Sequence, residues 1–193
     1  MCIKLSKTAC LIVAVLVLSS CAALDKLTAP SLIGTPATSS LVVVKVDATV
    51  HGILGIVTDQ QIQGGVLLST DGSKRFDGSS VTDLIIFSNV PPGEYNLARI
   101  QTTWNAGTMV YTNTYNVPPE AVLNFVLTTK LGEPRFLGLV KLQDVRNTKE
   151  MKQVFSLEPS KEAELATWRK FVQVYEGSPW VEAVQKRLSE LEK

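Results

Sequence analysis

The ten residues Leu41-Val42-Val43-Val44-Lys45-Val46-Asp47-Ala48-Thr49-Val50 limit what this chain can become more than any other stretch. β-Branched side chains lose rotamer freedom in a helix and pack well on a pleated surface. From Val44 onward the run alternates, apolar at 44, 46, 48 and 50, the period of a strand with one buried face. Further strand candidates follow at Gly65–Ser69, Asp83–Ser88, Glu94–Trp104, Thr108–Asn116, Ala121–Thr128 and Arg135–Gln143. Turn formers separate them: Asp71-Gly72, Pro91-Pro92-Gly93, Asn105-Ala106-Gly107 and Leu131-Gly132. Seven short strands at this spacing, with no helical period between them, predict a mainly β fold. The expected form is an antiparallel seven-strand-type β-sandwich over residues 40–144.

The first forty residues are of another kind. Lys4 and Lys7 precede an apolar run from Ala9 to Leu18, the layout of a signal peptide. A spanning helix needs roughly 20 apolar residues, and Ser19 and Ser20 interrupt this run too early. The stretch Leu18-Ser19-Ser20-Cys21 resembles the lipobox of bacterial lipoproteins. That resemblance implies a diacylglyceryl group on the Cys21 thiol, cleavage that frees Cys21 as the new N-terminus, and acylation of its amine. Two or more acyl chains make a durable anchor where one binds only marginally. Ordinary secretory cleavage after Ala22 or Ala23 is the alternative. In enterobacterial lipoproteins an aspartate after the cysteine favours the inner membrane, so Ala22 points to the outer membrane and its periplasmic face. Residues 1–20 are thus read as a leader, and residues 21–39, rich in Ala, Ser, Thr and Pro, as a flexible tether. A free chain of that length would hold the domain on the order of 25 Å from the lipid.

Cysteine and charge narrow the chemistry. Cys2 and Cys10 precede the proposed cleavage point, so the mature chain keeps only Cys21 and can form no disulfide framework or thiolate metal site. Without the leader, 17 basic and 18 acidic side chains remain, a net charge of −1. No basic run marks a nucleic-acid or anionic-lipid partner.

A second resemblance lies in Val90-Pro91-Pro92-Gly93-Glu94-Tyr95, which is similar to the turn that opens a strand in transthyretin-like and carboxypeptidase-regulatory-like sandwiches. Phe136-Leu137-Gly138-Leu139-Val140 is similar to the closing strand of small periplasmic lipoproteins on that fold. The resemblance spans about Ser40 to Asp144 and implies a fold, with the tyrosine at the core edge, but no catalytic residues.

Residues 145–193 are read as a helical hairpin. Pro159 and Ser160 start a helix with acids at 162 and 164, and Leu165, Trp168, Val172 and Tyr175 form its apolar stripe. Gly177 supplies the stop, and Ser178-Pro179 opens a second helix striped by Val181, Val184, Leu188 and Leu191. Phe171 to Leu191 looks like the end of a tetratricopeptide repeat, of which one unit alone cannot bury its faces. Trp168, Phe171 and Trp180 therefore either pack on the sandwich or dock a partner protein.

No nucleophile elbow, zinc-protease helix, phosphate-cradling loop or EF-hand pattern occurs. His51 is the single histidine, too little for a zinc site without cysteine. Asp71, Asp77 and Asp83 flank turns, where aspartate is a common former. Trp104, Tyr111 and Tyr115 on a Thr-rich hairpin could form a sugar-binding platform or one packed face. The expected function is a non-enzymatic, lipid-anchored outer-membrane lipoprotein facing the periplasm, an interaction or structural module with no metal and no cofactor beyond the lipid on Cys21. Its expected partners are the membrane and an envelope protein. A carbohydrate- or peptidoglycan-binding lipoprotein is the alternative.

Overall fold

The structure is a computed structural model that describes residues 25–26, 28–51, 57–118, 126–146 and 151–193. The lipobox and the apolar run before it lie outside the described residues. The described residues form ten strands: β1 (Ser40–His51), β2 (Val57–Asp59), β3 (Gln61–Ser69), β4 (Arg75–Val81), β5 (Leu84–Val90), β6 (Gly93–Ala106), β7 (Met109–Asn116), β8 (Leu127–Thr129), β9 (Pro134–Arg146) and β10 (Met151–Glu158). Two helices follow, α1 (Lys161–Val174) and α2 (Val181–Leu191). The fold is mainly β with a C-terminal αα-hairpin, as the periodicities predict.

The sheet differs from the expected sandwich. Its hydrogen bonding is continuous in the order β10-β9-β1-β5-β4-β3-β6-β7, with β2 on β1 and β8 on β6, so one curled sheet encloses the core. It is also mixed. β1 and β9 run parallel from Leu41↔Pro134 to His51↔Val145, while the other strand pairs are antiparallel. β9 returns to the first strand only after the whole meander, and such a long crossover delivers a parallel neighbour.

Three strands escape the period-two reading. β2 and β4 offer few apolar residues: Val57 in one, Phe76 and Val81 in the other. β10 carries the sheet past Asp144 into the segment read as helical, pairing antiparallel with β9 from Met151↔Arg146 to Glu158↔Leu139. Phe155 and Leu157 turn inward there, too short a pattern to stand out.

Two apolar cores share β1. On the inner face Val42, Val44, Val46 and Ala48 meet Leu67, Leu97, Ile100 and Tyr115 from the opposite wall. On the outer face Leu41, Val43, Leu84 and Ile86 meet Trp168, Phe171, Trp180 and Val184 of the hairpin. The unbroken apolar stretch Leu41–Val44 is therefore buried on both sides, and alternation begins where the helical cover ends. Tyr95, just after the Pro91-Pro92-Gly93 turn, is buried in the inner core with its ring edge-on to Phe76 at 5.5 Å.

Local chemistry sets the helix ends. Ser160 is the N-cap of α1, its Oγ accepting from the Ala163 amide at 3.1 Å, with Glu162 and Glu164 in the first turn. Gly177 lies at φ +82 beyond the C-terminus, a left-handed conformation in which a Cβ is costly. The buried face of α1 is centred on Thr167, Trp168, Phe171 and Val174, with Leu165 and Val172 half-buried beside it. Ser178 does not cap α2. That helix begins at Val181 with Trp180 at the N-cap, where its indole, a donor only, makes no cap bond and is instead buried in the outer core.

Candidate functional site

The β6–β7 hairpin brings Trp104 and Tyr111 together as a directly opposed pair, their rings stacked at 4.8 Å and 16°. Tyr115 lies four residues further along the same face of β7, but deep in the inner core with 2% exposure. The three rings proposed as a sugar platform thus split into a stacked pair and a core residue. Stacking also commits one face of each ring of the pair to the other.

Between the pair and the core sits Gln60, at the bend between β2 and β3. Its amide N–H donates to the Ala48 carbonyl at 2.8 Å, drawing β1 and β3 together where no strand lies between them. Its side chain is fully used: Nε2 donates to Tyr115 Oη at 2.6 Å and to the Thr49 carbonyl at 3.2 Å. Oε1 accepts from Thr102 Oγ1 at 2.5 Å and Asn113 Nδ2 at 3.0 Å. Burial pushes the Tyr115 phenol above its ordinary pKa, with the Asp144 charge adding to the effect and the Gln60 bond opposing it. A buried amide with four partners welds the sheet and leaves no lone pair or N–H for a ligand. Sequence reading missed Gln60, since a glutamine in a polar run carries no periodic signal.

Beside Gln60 a cleft of about 470 Å³ opens between β1, β3 and the β4–β5 turn, lined among others by Lys45, Asp47, Asp59, Thr82 and Asp83. Asp83 is its electrostatic centre, 3.3 Å from Lys45 Nζ and 3.1 Å from Lys170 Nζ of α1. Burial alone would raise the Asp83 pKa, but Lys170, Lys45 and the Thr82 hydroxyl together hold it below the usual carboxylate range. Thr82 sits at φ +51, a strained position for a β-branched residue, and Lys170 Nζ donates to its hydroxyl. The cluster ties the hairpin to the sheet.

The chain before β1 completes this junction. Ala29 and Leu32 pack into the outer core. The Ile33 amide donates to Ser88 Oγ at 3.0 Å, and the Gly34 carbonyl accepts from Trp180 Nε1 at 2.9 Å. A Cβ on Gly34 would lie 2.0 Å from the Ser88 carbonyl oxygen, so only glycine lets the chain approach so closely. Further back, Lys26 pairs with Glu176 at 2.7 Å and Asp25 with Lys170 at 3.7 Å. Residues 28–39, expected to be spacer, are therefore a strap laid across sheet and hairpin. Trp168, Phe171 and Trp180 are fully buried beneath it, with no surface left for a partner protein.

The remaining candidates are local. His51 Nε2 lies 3.4 Å from Thr49 Oγ1. Asp71 caps its own turn, and hydrogen bonds from the Ser69 hydroxyl, then from Ser73, lower its carboxyl to about 2. Asp77 pairs with Arg75 at 2.6 Å. Among the described residues no group of three His, Cys, Asp or Glu side chains could hold a metal ion, and no helix is long and apolar enough to cross a membrane. Cys21 lies outside the described residues. No protein-family model, curated protein or solved structure matches the chain.

Proposed function

We propose that this chain is a lipid-anchored lipoprotein of the bacterial outer membrane, facing the periplasm, and that it serves there as a non-enzymatic interaction or structural module. The observation that carries the reading is Leu18-Ser19-Ser20-Cys21 directly after a short apolar run behind Lys4 and Lys7. The Gln60 and Asp83 clusters support a structural role, since their polar groups join strand to strand and hairpin to sheet. The transthyretin-like resemblance around Pro91-Pro92-Gly93 points the same way. Binding of carbohydrate or peptidoglycan is second, because it draws on Trp104 and Tyr111 alone.

Metabolic labelling with an alkynyl fatty acid tests the anchor. Wild type is expected to carry the label and to sediment with outer membrane, and Cys21→Ala to lose both. A labelled, membrane-bound Cys21→Ala protein would overturn the proposal.

A further inference from the structure

Where a lipoprotein domain sits relative to its membrane depends on how much free chain separates the lipid from the fold. A free spacer of about 18 residues would let this domain tumble at a distance on the order of 25 Å. The structure leaves far less. Asp25 and Lys26 are paired to Lys170 and Glu176, at the C-terminal end of α1, and residues 28–34 continue along the outer core. Cys21 is four residues from Asp25. Whatever the conformation of that short piece, it spans at most about 14 Å.

Resting on the reading of Cys21 as the lipidated residue, we propose that the turn between α1 and α2 faces the lipid surface and that the β6–β7 hairpin faces away from it. The occupant of this surface is the bilayer itself, set there by where the chain leaves the fold. The opposite direction follows from the layers. The helices pack on the outer face of β1, whereas β6 and β7 form the far wall across the inner core. Electrostatic attraction is not the cause, since Lys26, Lys45 and Lys170 at this end are matched by Glu176, Asp25 and Asp83. The exposed Met109 and Val110 at the tip of the far hairpin are then the part of the fold offered to the periplasm.

The mature chain has no cysteine other than Cys21, so single cysteines can be introduced and labelled without background. Full-length lipidated protein carrying Gln173→Cys or Val110→Cys, each with an environment-sensitive fluorophore, is placed in phosphatidylethanolamine–phosphatidylglycerol vesicles containing headgroup spin-labelled lipid. Both positions are exposed, so neither variant disturbs a core. The label at residue 173 is expected to be quenched several-fold more than that at residue 110. Inserting twelve Gly and Ser residues between Leu24 and Asp25 is expected to abolish the difference. Equal quenching in the parent, or a difference that survives the insertion, overturns the proposed orientation while leaving the anchor intact. Absence of fatty-acid label from Cys21 overturns the anchor and the orientation together.

Discussion

The two faces of β1 are built in different ways. The inner core belongs to the sheet, with apolar residues from the meander and from the distant β9 paired on β1, and a polar weld at Gln60. The outer core draws on three separate parts of the chain: the strap at 29–34, the sheet face at 41–43 and 84–86, and the hairpin at 168–184. A core made by one sheet needs only strand register to form. A core made by three segments must bring residues 34 and 180 together, 146 positions apart, before its largest side chain is satisfied. The outer core is thus the more expensive to assemble and the easier to dismantle.

Breaking that outer core should give the largest effect. Trp180→Ala removes a fully buried indole and the Nε1 bond to Gly34, and should cost about 3–5 kcal/mol. Denaturant unfolding measures it, and protease cleavage within residues 25–34 should accelerate if the strap loosens as expected. A smaller effect is expected inside. Gln60→Leu keeps the bulk but strands Tyr115, Thr102 and Asn113, for a loss of about 1–3 kcal/mol. The strap should stay protected in that variant, and faster cleavage there would mean that the two cores are coupled.

The smallest effect sharpens the comparison through pH. The folded-state pKa of Asp83 is depressed, so its contribution to stability is full above the unfolded carboxylate pKa of about 3.9 and is lost as pH falls through the folded value. Stability should therefore decline on acidification below about pH 5, and Asp83→Asn should flatten that part of the curve. The carboxylate is partly exposed, which screens the effect. An unchanged slope in Asp83→Asn would show that the Lys45–Asp83–Lys170 cluster does not hold hairpin to sheet.

Much of this was legible in local pattern. The alternation from Val44 to Val50, the glycine and proline turns, the helix start near Ser160 and the Gly177 stop each act within a few residues, and each appears where expected. The candidate site was less legible. Tyr111 and Tyr115 share a strand face, so spacing could not distinguish a surface aromatic from a core one. Trp168, Phe171 and Trp180 left two readings open because the side chains that bury them come from elsewhere in the chain.

By itself, then, the sequence determined a mainly β domain, the positions along the chain of most of its strands, the hairpin that closes it and the lipobox-like stretch ahead of it. Those features rest on period, turn chemistry and caps, which neighbouring residues decide among themselves. Tertiary structure alone decided the parallel β1–β9 pair, the addition of β10, the bonding of Gln60 and the conversion of a tether into a strap. Each depends on groups that meet only when the sheet curls, and a Pro- and Ser-rich segment reads as spacer until a buried indole reaches its backbone.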